Sequence, residues 1–295
     1  MKRGRTAAIS LLLGATSLVA CGDNGGSSET NETSRTSEAQ GSENRIDIAA
    51  VDYNFEMPDT IQGGLVTFDY SNRGKEPHFV GFARIAEGAT FDVVKAALAG
   101  PPPSPGAAPA GPPPFEDEGG LATGDPGTST TATANLSEGK YAFYCAIPSP
   151  DGVSHAAKGM VKEITVSSGE KGTIAEGDGT LEAVDFAFDG DPTLKAGTNE
   201  LRISNGGKQL HEINLVEIPS GKTIDDVVAW HRQQQGPPPA KFLSGVAIKP
   251  GEDASATFEI AEGRTYAFIC AIPDFLGDFA PHITKGMHTG ELRVS

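Results

Sequence analysis

Between residues 45 and 295 the chain is patterned in short runs of β-branched and aromatic residues, each broken by Gly, Pro, Asn or Asp. Alternation over so few residues is the mark of strands with one buried face. The pattern predicts strands over 46–55, 65–71, 77–85, 129–136, 140–146 and 160–167, and a second series over 180–188, 199–204, 210–218, 254–260, 265–271 and 287–294. Helical spacing breaks in twice, over 90–99, where Val93, Val94, Ala97 and Leu98 fall on one face, and over 223–234. Many short strands with one helix in each series predict an all-β chain of two sandwiches.

The two series are copies of one another. Ala50-Val51-Asp52-Tyr53-Asn54-Phe55 returns as Ala183-Val184-Asp185-Phe186-Ala187-Phe188, an offset of 133. The same offset carries Asn72 through His78 onto Asn205 through His211, and later Tyr141 through Pro148 returns as Tyr266 through Pro273. A repeat of this length is a duplicated domain rather than a solenoid. The expected domains are 45–168 and 179–295, joined by a short Gly-rich connector. After each helix comes a Gly-Pro-Pro-Pro element, extended in the first copy to Gly100–Pro114. Such an element is stiff and lacks ladder donors, so it reads as a surface loop, either a spacer or a docking segment.

The N-terminal end changes the picture of where this chain works. Lys2, Arg3 and Arg5 precede the apolar run Ala7–Ala20, too short to span a bilayer, and so residues 1–20 read as a secretory signal. The run ends in Leu18-Val19-Ala20-Cys21, which resembles the lipobox of bacterial lipoproteins. That resemblance implies lipidation of Cys21 and membrane anchoring through it, on the cell surface or the periplasmic face; the alternative is an ordinary signal peptide and free secretion. Residues 22–44 are almost wholly small and polar and are expected to form a disordered tether reaching about 25 Å. Removing residues 1–20 takes away three of 23 basic residues against 39 acidic ones, leaving 20 − 39 = −19, which argues against a nucleic-acid partner.

Each copy carries one His at the start of a strand and, far downstream, a Cys, a second His and a Met: His78, Cys145, His155 and Met160, then His211, Cys270, His282 and Met287. Two imidazoles, a thiolate and a thioether are the donor set that accommodates both Cu(I) and Cu(II). Of the four Met residues, Met1 falls in the signal and two of the other three stand at these matched positions. Two readings compete with copper. Cys145 and Cys270 could form a disulfide, as exported proteins allow, or each quartet could pack as ordinary core. His231 and His288 belong to neither quartet and are expected at the surface.

These residues carry a family resemblance. The segment Asn72–Phe82 resembles the cupredoxin strand that bears the first histidine, and His155–Met160 and His282–Met287 are similar to the closing loop of that family. The resemblance implies two tandem cupredoxin-like Greek-key β-sandwiches, each holding one copper of the blue, type 1 kind through two imidazoles, a thiolate and an axial thioether. It implies one-electron transfer, with a redox protein as partner. Copper capture or delivery, and a cupredoxin-like module that binds no metal, are the alternative functions. The chain departs from the family in loop length, with nine residues between Cys145 and His155 and eleven between Cys270 and His282, longer than in plastocyanin-like and azurin-like members. Copper oxidases and nitrite reductases of two-domain type carry His-x-His pairs and a His beside the thiolate. This chain has neither, and no enzyme activity is expected.

Overall fold

The computed structural model describes residues 44–100, 112–190, 192–233 and 235–295. Signal residues 1–20, Cys21, nearly all of the tether and most of Gly100–Pro114 lie outside them.

In the first copy the strands are β1 (Arg45–Val51), β2 (Asn54–Glu56), β3 (Thr60–Gln62), β4 (Gly64–Asn72), β5 (His78–Ile85), β6 (Phe115–Gly124), β7 (Ser129–Leu136), β8 (Gly139–Tyr144) and β9 (Val161–Ser167), with helix α1 (Phe91–Ala99) after β5. The second copy contributes β10 (Gly179–Val184), β11 (Ala187–Asp189), β12 (Gly197–Asn205), β13 (His211–Ile218), β14 (Lys241–Ile248), β15 (Asp253–Ile260), β16 (Thr265–Ile269) and β17 (Leu292–Arg293), with α2 (Ile224–Gln233) after β13. All-β, two-layer architecture with one short helix per copy is what the pattern predicts.

The layers are continuous from one copy to the other. One sheet runs β11-β10-β12-β15-β7-β4-β1-β2, and the other runs β17-β16-β13-β14-β6-β5-β8-β9-β3. The copies meet edge to edge where β15 pairs with β7 and β14 with β6, both antiparallel. Leu121 stands opposite Val246 and Ala132 opposite Ala256. Each of these residues faces its own counterpart in the repeat, so an approximate two-fold axis passes through the seam, as at an isologous dimer interface. Pairing there covers strand edges that would otherwise be open. Side chains reinforce it: Ser244 Oγ donates to the carbonyl of Ala122 (2.7 Å) and Thr130 Oγ1 to that of Thr257 (3.0 Å). The apolar core follows the sheets, and one cluster of buried residues extends from Val66 and Phe68 in the first copy to Ile213 and Phe258 in the second.

The seam strands β6 and β14 are absent from the predicted elements. β6 reads Phe-Glu-Asp-Glu-Gly-Gly-Leu-Ala-Thr-Gly, whose acids and glycines resemble a loop. Tertiary structure requires those glycines. Gly120 has φ +147° and a Cβ there would lie 2.0 Å from the Val80 carbonyl oxygen; Gly245 (φ +154°) meets Ile213 in the same way. Two other expectations are corrected. Only Leu292–Arg293 of the expected strand 287–294 is regular, because Gly286 takes φ 110° after a turn of 3₁₀-helix over His282–Lys285 and the chain then meets β16 only through an isolated bridge at His288. His231 is not a surface residue: it faces inward from α2, only 7% exposed, with its ring 6.1 Å from that of Phe242.

Candidate metal centres

The first histidine of each quartet begins a strand whose approach is locked by a buried asparagine. Asn72 donates to the carbonyls of Glu76 (2.9 Å) and Gly124 (2.8 Å), and Asn205 makes the same two bonds to Gln209 and Ile248. The segment between is tight. A Cβ on Gly74 would lie 2.7 Å from His78 Nε2, and one on Gly207 would lie 2.6 Å from His211 Nε2, so only glycine leaves the rings room.

The long Cys-to-His segments close at their bases. His155 N donates to the carbonyl of Ile147 (2.9 Å), Pro148 bridges to Ser154, and Ser149 N donates to Val153. In the second copy His282 N donates to Ile272 (2.9 Å), Pro273 bridges to Pro281, and Asp274 N donates to Ala280. Each extra stretch is therefore a hairpin pinched at its neck, and the chain entropy of closing the site is that of a much shorter loop. Beyond the neck the methionine returns: Met160 N donates to His155 (2.9 Å) and Cys145 N to Met160 (3.1 Å), with the same pair between Met287, His282 and Cys270 (both 3.1 Å).

These constraints bring the donors together. The Nδ1 atoms of His78 and His155 are 3.0 Å apart, and Cys145 Sγ lies 3.4 Å from His155 Nδ1. In the second copy His211 and His282 Nδ1 are 3.1 Å apart, and Cys270 Sγ is 3.4 Å from His282 Nδ1 and 4.0 Å from His211 Nδ1. All eight quartet residues, Met160 and Met287 included, are fully buried. Cys145 and Cys270 are both free, each within its own group, so no disulfide joins them.

A metal bound at about 2.0 Å to imidazole nitrogen and about 2.3 Å to thiolate sulfur sets its donors roughly 3.3 to 3.7 Å apart. The observed separations are close to that range. Two imidazole nitrogens turned toward each other and toward a sulfur at such distances require a shared proton or a cation, and the soft sulfur favours copper among cations. The two groups fit up to two copper ions. Burial sets their protonation without metal: it pushes the Cys145 thiol up to about 12 and the Cys270 thiol up as well, and it lowers His78, His211 and His282, the last to about 4 with the neighbouring His211 adding to the effect. The imidazoles of His78, His211 and His282 are thus neutral and ready as ligands near pH 7, while each thiol must lose a proton on metal binding.

Sequence reasoning missed what holds the rings from behind. The repeated Val-Asp-aromatic triplet forms a two-residue turn between β1 and β2, and again between β10 and β11, with Tyr53 at φ 66° and Phe186 at φ 67°. That left-handed step aims two side chains at once. Asp52 Oδ1 lies 3.4 Å from His78 Nε2 and Asp185 Oδ1 lies 3.2 Å from His211 Nε2, while Tyr53 packs edge-on against His155 and Phe186 against His282. The Asp52 carboxyl, which accepts the Lys75 amide, is held below the usual range. Repetition of Asp was the available signal, since a turn needs no particular acid unless the acid has a partner.

The other ring differs between sites. His155 Nε2 bonds Glu76 (2.8 Å), whose second oxygen accepts from Tyr53 OH (2.9 Å). Burial works to raise Glu76, and the bonds from His155, Tyr53 and Ser149 outweigh it and hold the carboxyl low. In the second copy Gln209 stands in place of Glu76, and His282 Nε2 and Gln209 Oε1 are buried without partners among the described residues. The carboxylate has moved to Asp274, which accepts from Gln209 Nε2 (3.1 Å) and pairs with Lys285. His288 lies half-buried near the second site, with Nδ1 2.9 Å from the Thr289 carbonyl oxygen.

No family model matches the sequence, and no curated protein does. Among solved structures, auracyanin A, described as a "blue" copper protein from Chloroflexus aurantiacus, is 22% identical over 39% of this chain and 96% of its own, at a TM-score of 0.29. A multicopper oxidase is 14% identical, covering 85% of this chain and 88% of its own at a TM-score of 0.25. The copper nitrite reductase of Nitrosomonas europaea is 15% identical, covering 85% and 93% at 0.23. These are slight likenesses of fold, and the chemistry above rests on the donors alone. They do correct one expectation: the structures similar over most of this chain include a multicopper oxidase and a copper nitrite reductase, so the expectation of no enzyme activity does not stand.

Proposed function

We propose that each half of this chain binds one copper ion through its His, Cys, His, Met quartet and exchanges single electrons. The observation that carries this reading is the convergence, twice over, of two imidazole Nδ1 atoms and a thiol sulfur in a fully buried corner. Copper held there would supply a one-electron couple. The protein's own residues do the rest: Asp52, Glu76 and Asp185 fix the rings, and the core around each Cys excludes water. Donors held by β-strands and a pinched hairpin move little between oxidation states, which favours transfer over capture and release.

We place the protein outside the cytoplasm, held to a membrane through lipidated Cys21. Support comes from the basic and apolar character of residues 1–20 and from Cys21 at their end. No helix among the described residues is long and apolar enough to cross a membrane. A potentiometric titration of the copper-loaded chain tests the redox role. Reversible one-electron waves are expected, and copper that is lost on reduction would favour capture or delivery instead.

A further inference from the structure

The two donor groups flank a common feature. A cleft of about 400 Å³ opens where β6 and β14 meet, bounded by the neck of each hairpin, Ile147-Pro148 on one side and Ile272-Pro273 on the other. Its volume falls in the range of small-ligand sites. Phe79 and Phe275 add aromatic walls, and Phe275 is 52% exposed, a large ring left in water at the cleft mouth.

Two acids interrupt this apolar lining, and neither is part of the repeat pattern. Glu212 occupies the place of Phe79, and Asp117 the place of Phe242, so each arose where the other copy keeps an aromatic ring. Glu212 is only 8% exposed, and its Oε1 accepts the Ala271 amide (2.8 Å). Asp117 Oδ1 accepts the Gly119 amide (3.1 Å). Among the described residues no other donor reaches either carboxyl, and no cation pairs with them. The second oxygen of each carboxyl is not sealed from solvent, so it is open to a donor that enters the cleft.

We propose that this cleft binds one small aromatic hydroxyl compound, with the ring between Phe79, Phe275 and the two prolines and the hydroxyl donating to Glu212. Flat apolar walls favour a ring. Acceptors without donors favour a ligand that donates. A neutral hydroxyl suits the site better than an ammonium, whose charge would lose its water against mostly apolar walls. The ligand would touch Phe79, Ala146 and Ala271, the chain neighbours of His78, Cys145 and Cys270. The binding itself does not depend on a metal.

Calorimetric titration of the full chain with 2-naphthol tests this. One-to-one saturable binding is expected, weakened at least tenfold for 2-methoxynaphthalene, which cannot donate, and at least tenfold in Glu212→Gln, which turns an amide donor toward the hydroxyl. Ala247→Phe, which fills the cleft, should abolish binding with the circular dichroism of the fold unchanged. If Ala247→Phe does not fold, the Glu212→Gln and methoxy comparisons decide alone. Absence of saturable binding, equal affinity for the methoxy compound, indifference to Glu212→Gln, or tighter binding of 2-naphthylmethylammonium would overturn the proposal.

Discussion

His155 Nε2 lies 2.8 Å from the Glu76 carboxylate, whereas its counterpart His282 Nε2, with Gln209 in the matching position, has no partner among the described residues. An anionic acceptor behind a ligating imidazole makes it a stronger donor and favours the more highly charged metal state. With the other site disabled by Cys→Ser, Glu76→Gln should raise the reduction potential of the first site and Gln209→Glu should lower that of the second. Each tenfold change in the ratio of affinities for the two oxidation states is worth about 59 mV, and partners of this kind alter affinity by roughly 10- to 100-fold. Spectroelectrochemistry on the two pairs of variants reads the shifts, and unchanged potentials would contradict the role given to Glu76.

Acid stability should depend on His231, a buried histidine that no reading assigns to copper. Burial lowers its pKa to about 4, and its Nε2 has no partner among the described residues. The unfolded chain, with an ordinary histidine pKa near 6.5, therefore binds more protons than the folded one between about pH 6.5 and 4, and stability falls as pH falls through that window. From pH 7 to 4.5 this one group accounts for about 2 kcal/mol. His231→Leu should flatten the decline by that amount in urea unfolding at the two pH values, and an unchanged slope would refute the assignment.

The two copies should unfold together. Leu121 and Val246 face each other on the seam at 2% exposure each, within one apolar cluster that spans both halves. Calorimetry should give a single transition rather than two. Leu121→Asp, which buries a charge against Val246, should destabilise the whole by about 3 to 5 kcal/mol. Loss of only the first half, with the second melting unchanged, would mean that the seam does not couple them.

The parts of this account that were legible in the sequence are those fixed by side-chain chemistry. Copper-type donors admit few substitutes, so His78, Cys145, His155 and Met160 stand out beside His211, Cys270, His282 and Met287 even though the sites are far apart in sequence. The strand pattern around them was legible for the same reason, because buried faces demand β-branched and aromatic residues. What stayed hidden was set by tertiary contact. β6 and β14 pair across the seam through glycines and acids that locally read as loop, and the hairpin necks at Ile147 and Ile272 are made by backbone bonds with no side-chain signature. The exchange of Glu76 for Gln209 was visible in the aligned repeats, but its meaning depends on an imidazole about eighty residues away in the chain.

Titration of Cu(II) into the metal-free chain, followed by visible absorption, bears most directly on the copper reading. Two equivalents should bind with an intense thiolate-to-copper band, and Cys145→Ser or Cys270→Ser should each remove about half of the band, as expected for two His₂Cys sites. A chain that takes up no copper, or develops no such band while Cys145 and Cys270 stay free, would contradict the account.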